Sequence, residues 1–216
     1  MLTRLRPRLP AVTRANLWPC MIVGYLLFDI LYLGSAAVAV RAPRMLVPTA
    51  IDLAVPFVAA SIWVYLSQFL LLPWTLATLH DDAVRSRTFY AMLLATLISL
   101  PVFVLHPTCV AHPPTPTDGL TGFAWQALYF GDTPNNAFPS LHVALAALAG
   151  VALWQSRRRL IAVVWPGGIM LSTLTTRQHV SWDVAGGLLV AGLAWTLTPR
   201  LVDYDRTRLR DDTPGS

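Results

Sequence analysis

The chain contains no lysine and no glutamate: all sixteen basic residues are arginine and all eleven acidic residues are aspartate. That points to a genome-level coding bias and carries no mechanistic weight. The scarcity of charge as a whole is more telling. Charged residues make up 12% of the sequence, against roughly 25% in soluble domains. Hydrophobic residues make up 55%, and the mean hydropathy is +0.55. An ordinary soluble domain is thereby excluded, and the chain reads as an integral membrane protein. Cysteine is scarce too. Cys20 and Cys109 stand in different contexts and make neither a disulfide framework nor a metal pattern. There is no glycine-rich phosphate loop, no Cys-x-x-Cys and no His-Glu-x-x-His, so no cofactor and no metal is expected. The net charge of +5 raises the question of an anionic partner such as a nucleic acid, but the placement of the arginines explains it without one.

Long apolar runs supply the architecture. About 20 helical residues cross a bilayer, and Leu17 to Val40 is a 24-residue run behind a basic arm at residues 1–16. It exceeds the 7–15-residue apolar core of a cleaved signal peptide and carries Asp29, so a retained helix is expected. A second span runs from Ile51 to Leu79, interrupted by Pro56 and Pro73, which predicts tilt or a kink. A polar turn from His80 to Arg87 leads to a third span, Thr88 to Leu105. The connection from His106 to Ala137 opens with Pro107, Pro113, Pro114 and Pro116. Within it, Leu120 to Phe130 carries Phe123, Trp125, Tyr129 and Phe130, which suits a short helix at headgroup level. Further spans follow at Phe138–Trp154, Leu160–Thr176 and Trp182–Leu197. The fold class is all-α: a polytopic membrane protein with six transmembrane helices and an interfacial helix between the third and fourth. One transmembrane domain would occupy residues 17–199, with a polar tail at 200–216.

Arginine placement orients it. Thirteen arginines fall on the side of the two termini, and only Arg41, Arg44 and Arg177 on the other. Positive-inside bias puts both termini in the cytoplasm. The His106–Ala137 loop, His142 and His179 then face outward, on the outer side of the plasma (inner) membrane.

Two stretches carry chemistry. Asn135-Asn136-Ala137-Phe138-Pro139-Ser140-Leu141-His142 and Arg177-Gln178-His179-Val180-Ser181-Trp182-Asp183 each place a histidine at the end of an apolar segment. Pro139 suits the first position of a helix, with Asn135 or Asn136 as its cap. His142 then sits in a first turn, where free N–H groups and the dipole favour an anion. Asp183 follows His179 by four residues, so on a helix the two share a face. The aspartate can accept from one ring nitrogen and leave the other as nucleophile. His142 can protonate the departing oxygen, and Arg177 can place charge on a transferring phosphoryl group.

Phe-Pro-Ser-Leu-His followed by His-x-x-x-Asp at the start of the last helix resembles the type 2 phosphatidic acid phosphatase superfamily. The phosphatase members read Pro-Ser-Gly-His, where this chain has Leu141. The Pro-Ser-Leu-His form is similar to the branch containing inositol phosphorylceramide synthase. The resemblance implies a lipid phosphoryl-transfer enzyme with His179 as nucleophile, His142 as acid and Asp183 as orienting carboxylate. Its substrate would be a lipid phosphate, with Ser140, Arg177 and His112 as substrate-binding residues. Phosphotransfer is preferred over phosphatase activity. The family's Lys-x6-Arg-Pro reads Leu105 to His112-Pro113 here, and its Ser-Arg reads Ser172-Thr173. Losing those cations mildly favours a phosphodiester-type headgroup over a dianionic monoester.

Plainer readings stand beside these. His142 and His179 could be interfacial histidines, and with Asp183 they could bind zinc, although no third ligand has firm spacing. His106 and His112 fit loop residues, and Arg177 fits a headgroup anchor. Asp52 fits a favourable charge near a helix start, whereas Asp29 lies mid-span without an evident partner. A non-enzymatic scaffold of the same fold is the alternative of a different class. Oligomeric state is not legible.

Overall fold

The apolar runs become helices wherever caps and backbone donors allow. In the computed structural model, which describes residues 8–133 and 135–204, these are α1 (Leu17–Ala37), α2 (Ala50–Ala54), α3 (Ile62–Leu66), α4 (Gln68–Thr78), α5 (Asp82–Leu105), α6 (Gly119–Gly131), α7 (Leu141–Gln155), α8 (Arg159–Thr175) and α9 (Ser181–Leu201). Among the described residues, four stretches are long and apolar enough to cross a membrane: α1, Ala59–Thr78, α5 and α9. The helices α7 and α8 are apolar but shorter, at 15 and 17 residues. A 15-residue helix reaches only about 22 Å, short of the roughly 30 Å hydrocarbon core.

That shortness has a physical context. Ten of the fifteen residues of α7 are buried, and the helix packs against α4, α5, α8 and α9. It is the central helix of the bundle. Small residues make this possible: Ala144, Ala146, Ala149 and Ala152 are fully buried.

Two expected boundaries are corrected. The second apolar segment does not begin as a span at Ile51. Its first turn, α2, stops at Ala54, and Val55 is extended at φ −72°, ψ 123°. Pro56 forces this, because a residue before proline is pushed out of the helical region. The long helical stretch begins at Ala59, with Pro73 inside α4. The expected polar turn from His80 to Arg87 is mostly helix. Asp81 caps α5 by accepting from the N–H groups of Ala83 and Val84 at 2.7 and 3.2 Å, so the helix takes in Asp82, Arg85 and Arg87. Arg85 is fully buried, pairs with Asp82 and donates to the Leu76 and Leu79 carbonyls at the end of α4. Arg87 donates to the Trp195 carbonyl at 2.9 Å and lies 3.9 Å over the Trp195 ring. Both cations therefore fasten helices together.

The helix ends gather into two groups. At one, β1 (Arg8–Leu9) pairs in parallel with β4 (Asp203–Tyr204), which brings the two ends of the described chain together. Val12 is fully buried there, and its N–H donates to Ser86 Oγ at 2.8 Å. Of the basic arm expected at 1–16 and the tail at 200–216, residues 1–7 and 205–216 lie outside the described residues. At the other end, β2 (Arg44–Met45) pairs with β3 (Thr108–Cys109), and Thr108 bridges to Asn136. A helix is present where one was expected between the third and fourth spans, as α6. It buries Ala124, Trp125 and Leu128 against Ile62 and Tyr65, and it exposes Leu120, Phe123 and Phe130.

Candidate active site

Both histidines sit at this second end, and local backbone chemistry explains their placement. Helix α8 closes through two reversed bonds, Arg177 N–H to the Leu174 carbonyl at 3.0 Å and Gln178 N–H to Thr173 at 3.1 Å. This closure needs a left-handed residue just past the cap. Here that residue is Arg177, at φ 56°, where glycine would avoid a cost of about 1–2 kcal/mol. The turn delivers His179 to the start of α9. Its Nδ1 lies 3.2 Å from Asp183 Oδ2, which also accepts from the Val180 N–H at 3.0 Å. His179 is 9% exposed and Asp183 fully buried. One ring nitrogen is thus engaged, and Nε2 is left for other chemistry.

His142 stands on the first turn of α7. Its cap is Ser140, whose Oγ accepts from the Val143 N–H at 3.3 Å, in place of the expected Asn135 or Asn136. Pro139 lies outside the helix rather than at its first position. Asn136 instead donates to the Tyr32 carbonyl and to Ser35 Oγ. The His142 ring stacks on Tyr65 at 3.9 Å between centroids, nearly parallel at 16°, and meets Phe69 edge-on. Its Nε2 is buried without a hydrogen-bond partner among the described residues, as is Asp183 Oδ1. His142 and His179 lie within electrostatic reach of each other.

Two glycines bring these turns together. Ideal Cβ atoms on Gly186 and Gly187 would fall 2.5 Å from the Phe138 ring and 2.4 Å from the Ser140 carbonyl oxygen. Only glycine permits that approach. It lets the Ser140 N–H reach the Asp183 carbonyl at 3.1 Å, tying the start of α7 to the first turn of α9.

The remaining sequence candidates lie around this centre. Ser140 is fully buried, with its hydroxyl serving as the helix cap. Arg177 donates to the Val55 carbonyl at 2.6 Å and, with His179, Asp52, Val110 and Leu174, lines a small, partly open pocket. His112 lies at an exposed position, and its Nδ1 accepts from Gln178 Nε2 at 3.2 Å. Partial burial of its ring lowers its pKa, outweighing a hydrogen bond to the Arg177 backbone and the pull of Asp132, so at neutral pH it is chiefly uncharged. His106 makes no hydrogen bond through its side chain among the described residues. No group of three or more His, Cys or Asp side chains among them is placed to hold a metal ion. Asp29 is half-buried on α1, and no hydrogen bond from a described residue reaches it.

Sequence reasoning missed Tyr65 and the two glycines. Gly186 and Gly187 follow Asp183 by three and four residues, and that spacing was the available signal. For Tyr65 there was none.

A family model described as the PAP2 superfamily matches residues 42–197. This chain belongs to that superfamily of type 2 phosphatidic acid phosphatases, membrane proteins of the lipid phosphatase and phosphotransferase type. Compared with curated proteins and with solved structures, it matches none.

Proposed function

We propose that the chain is a membrane lipid phosphoryl-transfer enzyme acting through a phosphohistidine on His179. The observation that carries this reading is the buried His179–Asp183 pair at 3.2 Å, which holds Nδ1 and leaves Nε2 to attack. In the first step Nε2 bonds to phosphorus and the ester oxygen departs, taking a proton from His142. In the second, water or a lipid hydroxyl gives up its proton to His142 and displaces the imidazole, restoring the enzyme. Asp183 holds the ring and offsets the charge that develops on it. Arg177, His112 and the turn at Ser140 form the substrate-binding surface.

Six membrane crossings fit this reading, with α7 and α8 joining the four longer stretches. The buried α7 meets protein along most of its length, so lipid thickness does not dictate its length. Both termini would be cytoplasmic and the site outward-facing in the plasma membrane, with α6 at the outer headgroups presenting Leu120, Phe123 and Phe130. The preferred activity is transfer of a phosphate-linked headgroup between lipids, as in the inositol phosphorylceramide synthase-like branch. The Pro-Ser-Leu-His motif and the missing cations support it.

The test is turnover of radiolabelled-phosphate lipids by detergent-purified protein. Phosphatidic acid, phosphatidylinositol and a polyprenyl diphosphate would be offered, each alone and with diacylglycerol or ceramide. Wild type should acquire acid-labile label that His179→Ala lacks, and His142→Ala should be slowest on substrates with poor leaving groups. Label moving only to the added lipid alcohol indicates a phosphotransferase, and free phosphate from lipid alone indicates a phosphatase. Absence of both label and turnover with every donor would leave a non-enzymatic member of the superfamily.

A further inference from the structure

The segment that reads in sequence as the start of a membrane helix has another use. Between Thr49 and Ser61 the chain runs alongside residues 175–181 and is bonded to them along its length. Asp52 Oδ1 accepts from both the N–H and the hydroxyl of Ser181, at 2.7 and 2.5 Å. Its Oδ2 accepts from the N–H and hydroxyl of Thr49, at 2.7 and 2.8 Å. The Val55 carbonyl accepts from the Arg177 guanidinium, the Val58 N–H donates to the Thr175 carbonyl at 2.9 Å, and Thr175 Oγ1 donates to Ser61 Oγ at 2.8 Å. The turn bearing His179 is therefore clamped from outside its own helices.

Asp52 is the hub of this strap. It is 3% exposed and lies 129 residues from Ser181 in sequence. A helix start leaves N–H groups without intrahelical partners, and a side chain usually caps them from just upstream. In α9 the upstream residue is Val180, which has no polar side chain, so the carboxylate that meets the Ser181 N–H comes from a different part of the chain. That same carboxylate belongs to a capping box with Thr49 at the start of α2. It thus closes two helix starts at once, one of them holding Asp183 and following His179 by two residues.

We infer that Asp52 is a positioning residue: through Ser181 it sets the His179–Asp183 pair, and the Thr49–Val58 segment is a strap of the active site rather than membrane helix. This rests on the phosphohistidine reading. Asp52 touches neither the His179 ring nor the reacting atoms, so its effect is on geometry. A displacement of about 1 Å at a reacting group costs on the order of 100-fold in rate.

The experiment compares Asp52→Ala, Asp52→Asn and Ser181→Ala in the full chain, with His179→Ala alongside. It measures kcat, KM, Tm and deuterium exchange of the peptide covering residues 179–184. Asp52→Ala should lower kcat about 10–100-fold with KM within about threefold, and exchange of 179–184 should quicken about tenfold while that of α5 and α7 is unchanged. Asp52→Asn, which keeps an oxygen for Ser181, should recover most of the rate. Ser181→Ala, which keeps the backbone bond, should fall between wild type and Asp52→Ala. Three results would overturn the inference: wild-type kcat in Asp52→Ala, a rise in KM alone, or an Asp52→Asn variant as slow as Asp52→Ala. If instead His179→Ala turned over like wild type, the phosphohistidine reading would fall. The strap would then be judged by exchange alone, with unchanged exchange of 179–184 rejecting it.

Discussion

Replacing Gly187 by alanine tests whether close packing of α9 on the start of α7 sets the catalytic geometry. The added Cβ would lie 2.4 Å from the Ser140 carbonyl oxygen and 2.9 Å from Val143 Cβ, against 3.4 Å for ordinary contact. The nearest obstacle is backbone, so no side-chain rotation relieves it. The two helix starts must separate by about 1 Å, across the contact where the Ser140 N–H meets the Asp183 carbonyl. Overpacking of this kind costs about 1–3 kcal/mol, and each kcal/mol moves Tm by about 2–4 °C in a chain of this size. The larger effect falls on turnover, about 100-fold, because the separation falls between His142 and the His179–Asp183 pair. Gly192→Ala is the matched control: it lies further along α9, and nothing comes within 4 Å of its Cβ. It should leave turnover intact and stabilise the helix by up to about 1 kcal/mol. The assay is kcat and KM on a lipid donor, with Tm measured on the same preparations. A folded Gly187→Ala protein with wild-type kcat would refute the idea that this contact sets the site.

Two further outcomes follow from the surroundings of the histidines. Tyr65→Leu removes the ring stacked on His142, a contact worth about 0.5–1.5 kcal/mol, so turnover of a poor leaving group should fall up to about tenfold. Tyr65→Phe keeps the stack and the rate, and equal losses in both variants would show that the hydroxyl matters instead. For His112, partial burial lowers the folded-state pKa below the ordinary value near 6.5. As pH falls below about 6.5, the unfolded chain takes up this proton before the folded one, so the stability contributed above that pH is progressively lost. His112→Asn should therefore lose less Tm than wild type between about pH 7 and 5.5, and an identical slope would remove His112 from the account.

How much of this was legible in the sequence depended on distance along the chain. Apolar runs announce helices locally, and α1, α6, α7, α8 and α9 lie within a few residues of where they were expected. The histidine pair was legible because each motif is local: four residues separate His179 from Asp183, and the apolar run after His142 marks a helix start. The error at Ile51 was also local in origin, since apolar composition cannot separate a membrane helix from a largely exposed segment tied to another turn through one buried aspartate. Pro56 held the correct signal, read there as a kink rather than an end. Tyr65 against His142 and Asp52 against Ser181 were invisible, because nothing in an apolar run says which distant turn it will meet.

The charges around the candidate site bear on the substrate proposed above. The superfamily's phosphate-binding cations are absent from their motif positions. Arg177 lines the pocket beside His179, but one of its donors is committed to the Val55 carbonyl. His112 is chiefly neutral. Helix starts can supply positive potential, about half a charge each, and α7 has no acidic residue in its first turn to offset it. The start of α9 contributes little, because Asp183 lies within its first turn and Asp52 accepts from its first N–H. Among the described residues, one arginine and one helix start stand near the buried Asp183 carboxylate, while Asp52 is engaged by Ser181 and Thr49. We propose that such a field suits a singly charged phosphodiester better than a dianionic phosphomonoester, whose second charge would meet Asp183 without a cation of its own. This electrostatic ground joins the Pro-Ser-Leu-His motif in support of the proposed transfer between lipids over hydrolysis of phosphatidic acid.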